Sequence, residues 1–128
     1  MHPLWFIPIS AVLVLASKGP LLIAMSKEGT GYDNHHPRSQ QARLTGWGQR
    51  ALAAHQNTIE SFPIFAACLL TGYTLGVSTD RLTILCAIFL ACRLIYIYLY
   101  VADKALPRSL VWTLAYFTCL AMPLLGLI

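Results

Sequence analysis

Apolar residues gather in four stretches, each close to the roughly 20 residues a helix needs to cross the core of a bilayer. They run from Leu4 to Met25, Gly48 to Leu75, Leu82 to Val101 and Ser109 to Leu127. Charge is nearly excluded from them: no Asp, Glu, Lys or Arg occurs from Met1 to Ser17, from Ser61 to Thr79 or from Ser109 to Ile128. The pattern predicts an all-α membrane protein with four transmembrane helices. Between the first two spans, Ser26 to Trp47 holds Gly29, Gly31, Asp33, Asn34, His35, His36 and Pro37, which predicts a loop, ordered or mobile. The connections around Gly76 to Arg81 and Asp103 to Pro107 are short. No internal repeat or long linker interrupts the chain, so residues 1–128 are expected to form one domain.

Composition strengthens this reading. Hydrophobic residues make up 57% of the chain and charged residues 11%, with a mean hydropathy of +0.62, so the molecule has too little polar surface to face water on all sides. Disorder is excluded on the same ground. The net charge of +4 comes without a dense Lys/Arg cluster, which argues against a nucleic-acid partner. Basic residues instead mark the ends of the spans. Lys27, Arg38, Arg43 and Arg50 border the first loop, Lys104 and Arg108 the third, and Arg81 alone the second. Since Lys and Arg in short loops stay on the cytoplasmic side, both termini are expected to face away from the cytoplasm, in an inner (cytoplasmic) membrane. No basic residue precedes the first apolar run and no clear cleavage site follows it, so it is expected to be retained as a helix. Cys68, Cys86, Cys92 and Cys119 lie in apolar runs without metal-ligand spacing and read as small hydrophobes.

Charges inside the spans need partners, because each costs at least about 2.5 to 3.5 kcal/mol at the centre of a membrane helix. Lys18, Glu60 and Arg93 are the principal cases. Arg50, Asn57 and Glu60 are spaced by seven and three residues and are expected to share a face of the second span. Arg93, Tyr96 and Tyr100 form a stripe on the third. If the stripes meet, Arg93 or Arg50 neutralises Glu60 and Asn57 supplies hydrogen bonds. The plain alternative is polar adhesion between helices with no ligand. Lys18 can snorkel toward water, and Pro20 is expected to free a backbone carbonyl and bend the first span. Tyr98 points away from the stripe and reads as a membrane-border residue. His35 and His36 lack a third ligand at helical spacing, so no metal site is expected.

The segment Arg50-Ala-Leu-Ala-Ala-His-Gln-Asn57-Thr-Ile-Glu60-Ser-Phe-Pro63 resembles the second-helix signature of the MAPEG family, the membrane-associated proteins in eicosanoid and glutathione metabolism. Arg93-x-x-Tyr96-x-x-x-Tyr100, followed by Pro107-Arg108-Ser109, resembles that family's third-helix stripe and the arginine opening its fourth helix. The resemblance, to a divergent member of bacterial type, implies a left-handed four-helix bundle assembled as a homotrimer. It further implies glutathione sites between neighbouring subunits near the cytoplasmic side. Arg50, Asn57, Glu60, Arg93 and Tyr96 would bind glutathione, with Tyr100 and Arg108 at the catalytic position and Arg108 stabilising the thiolate. The partners implied are the lipid bilayer, glutathione as co-substrate and a lipophilic small molecule.

Two positions depart from that pattern. Ala53 stands where glutathione-using members carry an arginine four residues before the asparagine, and Gln56 where some have a further basic residue. Both changes remove groups suited to gripping carboxylates. The Tyr32 to Arg38 loop does not match eicosanoid-forming members. The leading expectation is a glutathione-dependent transferase or peroxidase acting on lipophilic electrophiles or lipid hydroperoxides. The alternative is a noncatalytic lipid-binding or scaffold protein, of which the five-lipoxygenase-activating protein in the same family is an example. A four-span cation exporter is set aside because the first span holds Lys18 and no acid.

Overall fold

The computed structural model describes residues 1–29 and 31–128. A 3-10 turn at Pro3–Trp5 leads into α1 (Phe6–Ser26), followed by a short α2 (Pro37–Arg43) and three long helices, α3 (Gly46–Thr74), α4 (Thr79–Val101) and α5 (Ala105–Leu124). Each predicted span falls on one long helix. α5 begins four residues before its predicted start and ends three before its predicted end, and α2 lies inside the segment read as a loop. Two of the helical segments, Pro3–Ser26 and Thr79–Val101, are long and apolar enough to cross a membrane, with mean hydropathies of 1.9 and 2.3. The first half of α3 is more polar, carrying Arg50, His55, Gln56, Asn57 and Glu60.

The four long helices alternate in direction and pack side by side, α1 on α3, and α3, α4 and α5 on one another. α1 runs unbroken through Pro20 to Ser26. The larger core joins Phe65 and Leu69 of α3, Leu82, Cys86 and Phe89 of α4, and Cys119 and Met122 of α5. Phe65 and Phe89 stack there with ring centroids 4.2 Å apart. Three of the four cysteines are buried and all four are free thiols, Cys86, Cys92 and Cys119 within this core and Cys68 packed against it. Gly72 lets α3 approach α5 closely, since a Cβ there would lie 2.7 Å from the carbonyl oxygen of Met122. Large apolar side chains such as Leu15, Ile84, Leu110 and Phe117 point outward, a surface suited to lipid or to another subunit rather than to water.

Both short connections are closed by a residue in the left-handed region that satisfies the last carbonyls of the preceding helix. After α3, Gly76 has φ +81°, its N–H reaches the Tyr73 carbonyl at 3.1 Å and that of Val77 the Gly72 carbonyl at 3.1 Å. After α4, Asp103 takes the same role at φ 60°, with its N–H on the Tyr100 carbonyl at 3.2 Å and that of Lys104 on the Leu99 carbonyl at 2.9 Å. The described part of the first loop is ordered around one buried side chain, Gln40. Its Nε2 donates to the carbonyls of Met25 (3.0 Å) and Gly31 (2.8 Å), and its Oε1 accepts from the Asp33 N–H at 3.0 Å. Asp33 Oδ1 accepts in turn from the N–H groups of His36 (3.0 Å) and His35 (2.9 Å), which hold its carboxyl below the usual carboxylate range.

Candidate functional site

α3, α4 and α5 converge on Arg93, which is 1% exposed. Its Nη1 donates to Asn57 Oδ1 at 3.0 Å and its Nη2 to Thr58 Oγ1 at 3.1 Å, while the Thr58 hydroxyl donates to the Ala54 carbonyl at 2.7 Å. Nε is buried without a hydrogen-bond partner, and no carboxylate among the described residues forms an ion pair with this guanidinium. From Arg93 a ladder of aromatic contacts runs along α4. The guanidinium lies 4.4 Å from the Tyr96 ring centre, Tyr96 meets Tyr100 edge-on at 5.5 Å, and the Arg108 guanidinium covers Tyr100 at 4.2 Å. The spacing of three and four residues on α4 aligns the tyrosines, and the Asp103 turn brings the first turn of α5 back over Tyr100.

Two adjoining hollows flank this ladder. The inner one, of about 100 Å³, is lined by Asn57, Glu60 and Arg93 on its polar side and by Phe89, Trp112 and Cys119 on its apolar side. The outer one is lined by Tyr96, Tyr100, Arg108 and Ser109 and shares Asn57 and Trp112 with the inner. The inner hollow lies near the middle of the long helices, and the outer one toward the α4–α5 turn, at the end of the molecule opposite the chain termini. Two guanidiniums with no carboxylate partner among the described residues, beside a polar recess backed by an apolar one, form a place where an anion is stabilised and an apolar group accommodated.

The structure brings Asn57, Arg93, Tyr96, Tyr100 and Arg108 together. It corrects the expected pairing of Glu60. That residue is exposed and makes no ion pair among the described residues, so neither Arg93 nor Arg50 neutralises it within the chain. Its carboxylate stands at the rim of the inner hollow, in whose lining Asn57 and Arg93 also take part, but outside ion-pair distance of either guanidinium. The terminal nitrogens of Arg93 are meanwhile taken up by Asn57 and Thr58. Arg50 lines neither hollow. Its Nε donates to the Val101 carbonyl at 3.2 Å and its Nη1 stands 3.7 Å from Asp103 Oδ2, so it braces the α4–α5 turn that presents Arg108. Nothing in the sequence marks Thr58, since a lone threonine in an apolar helix signals no partner. Tyr98 is 71% exposed and turned away from the ladder, as its spacing predicts. Lys18 is half-buried on α1, where neighbouring Ser17 lies 2.8 Å from His55 Nδ1. Ala53 is half-buried and Gln56 exposed, adding no cation to this part of α3. Among the described residues no group of His, Cys, Asp or Glu is arranged to hold a metal ion.

A comparison with curated protein sequences returns no significant match. The sequence profile of the MAPEG family, by contrast, matches residues 3–128, nearly the whole chain, and takes in every element of the site. On that match, with long apolar helices around a buried arginine site, the chain belongs to the MAPEG family.

Proposed function

We propose that this protein is a membrane-embedded glutathione-dependent transferase or peroxidase acting on lipophilic electrophiles or lipid hydroperoxides. In this reading residues 1–128 form one four-span domain, a left-handed bundle assembled as a homotrimer in the cytoplasmic membrane with both termini away from the cytoplasm. The observation that carries it is the ladder from Arg93 through Tyr96 and Tyr100 to Arg108, which sets two guanidiniums with no carboxylate partner among the described residues beside one recess. MAPEG family members generally use glutathione, an anionic tripeptide whose thiol must ionise to react.

Each residue has a task in this chemistry. A free thiol with a pKa of about 8.5 is largely protonated at neutral pH, and each unit by which a guanidinium lowers it is worth about 1.4 kcal/mol. Arg108, half-buried at the start of α5, is placed to favour the thiolate, and Tyr100 holds its guanidinium flat. Asn57 and Tyr96 orient polar parts of the tripeptide, Arg93 supplies the buried positive field, and Glu60 at the mouth of the inner hollow accepts from an amino group. Arg50 acts indirectly, through the turn that carries Arg108. The apolar wall of Phe89, Trp112 and Cys119 receives the reacting end of a lipophilic partner. The thiolate sulfur then forms a bond to the electrophilic carbon and the leaving group departs with the electron pair. With a hydroperoxide, sulfur attacks the terminal oxygen and the O–O bond breaks, leaving a sulfenic acid on glutathione and an alkoxide that takes up a proton to leave as the alcohol. The thiol of a second glutathione then displaces water from the sulfenic sulfur to form the disulfide.

The test is a pH profile of glutathione conjugation to an aromatic electrophile by wild type and Arg108→Ala, with thiolate absorbance followed in parallel. The variant should lose most activity at neutral pH and less at alkaline pH, where the thiol ionises unaided. An equal loss at every pH makes Arg108 positional. A wild-type protein that neither binds nor turns over glutathione overturns the enzyme reading in favour of a noncatalytic lipid-binding protein.

A further inference from the structure

Besides Arg93, two charged side chains well inside the long helices take part in no ion pair among the described residues: Lys18 on α1, half-buried, and Glu60 on α3, exposed. They stand on different flanks of the subunit. Ala24 packs against Gly48 and Ser17 against His55, so α1 and α3 run antiparallel with Lys18 near the level of His55. Glu60 comes five residues later, about 140° around α3 from His55. There it borders the inner hollow with Arg93 and Trp112, on the side of α4 and α5.

Their depths nevertheless agree. Five residues carry the Glu60 backbone roughly 7 to 8 Å beyond His55, toward the end that holds the chain termini. Helical side chains lean toward the N-terminus of their own helix, so the Glu60 carboxylate leans back toward the level of His55. Lys18, on the antiparallel helix, leans the opposite way, and its four-carbon stem spans the remaining difference. Opposite charges at one depth on different flanks are what a head-to-tail ring brings together, because each contact joins one flank to the other flank of the next copy. A two-fold dimer joins like flank to like flank and leaves both charges without an opposite partner.

We propose that Lys18 of one copy pairs with Glu60 of the next, so that each inner hollow is completed by a residue from its neighbour. The pairing rests on the homotrimeric membrane reading above and adds to it the contact that sets the ring's register.

Charge exchange and cross-linking test the pair in the full-length protein. Lys18→Glu and Glu60→Lys should each shift the oligomer toward monomer on dilution in detergent, and the double exchange should recover about tenfold or more in apparent association. Lys18→Cys combined with Glu60→Cys, treated in native membranes with a short thiol-specific bifunctional reagent, should give covalent dimers and closed trimers that neither single variant gives. A double exchange no better than the worse single reversal overturns the pair, as does a double-cysteine chain that remains monomeric on a denaturing gel. Calorimetric glutathione binding by wild type separates the two readings. Binding without the cross-link defeats the pair alone, whereas the cross-link without binding supports the pair and defeats the enzyme assignment.

Discussion

Arg93 carries its charge into the packed helices and, among the described residues, hydrogen-bonds to two neutral oxygens, those of Asn57 and Thr58. Thr58→Val keeps the shape of the side chain but removes one acceptor, leaving Nη2 short of a partner in a buried place. A loss of about 1 to 3 kcal/mol is expected, visible as a lower midpoint in thermal unfolding in detergent, with Thr58→Ser retaining most of the stability. An unchanged midpoint would mean that Arg93 relaxes onto another acceptor. Asp33 offers a pH test at the same scale. Its folded pKa lies below the usual value because the His36 and His35 N–H groups favour the carboxylate. Its contribution is therefore present above the ordinary carboxylate pKa and lost as pH falls through the depressed one. The amide resonances of His35 and His36 should hold their positions through the usual carboxylate titration range and move only below it; movement at the ordinary pKa would show that the two bonds do not persist in solution.

At the scale of elements, the close packing of α3 on α5 at Gly72 makes a sharp expectation. Gly72→Ala would place a methyl 2.7 Å from a backbone oxygen that cannot swing aside. The helices must separate, at about 1 to 3 kcal/mol, and the unfolding midpoint should fall although alanine is the better helix former. The turn after α4 makes a second. Arg50→Ala removes both contacts that brace Asp103, and because the Arg50–Asp103 pair is largely solvent-facing its stability effect should stay within about 1 kcal/mol. Conjugation activity should drop by more than that small change in stability implies, since Arg108 loses its placement; parallel loss of both would make Arg50 merely structural. The apolar runs made the long helices readable from sequence, and the three-and-four spacing made the α4 ladder readable. Periodicity assigns a face to each helix but not the rotation that decides which neighbour it meets. For that reason spacing alone groups Arg50 with Glu60 and does not reveal the Thr58 contact, and α2 is hidden behind a turn-rich composition that Gln40 organises through long-range bonds.

For the whole molecule, the outward apolar side chains and the exposed Glu60 call for different surroundings, lipid for the first and a subunit boundary for the second. Native mass measurement of protein extracted in mild detergent is expected to give three chains per particle, and a stable monomer or a dimer would overturn the trimer. Glu60→Ala belongs to this scale as well. Since its carboxylate forms no ion pair among the described residues, its removal should leave the isolated subunit's helical content unchanged while weakening association measured by dilution.

The two ends of the arginine ladder differ in burial, Arg93 being 1% exposed and Arg108 half-buried near the border of the packed helices. Mobile ions approach the second but not the first, and at physiological ionic strength they screen charges beyond about 8 Å in water. An anion seated between them would therefore feel one attraction that weakens with added salt and one that does not. Its affinity should fall as salt is first added and then level off at a floor supplied by Arg93.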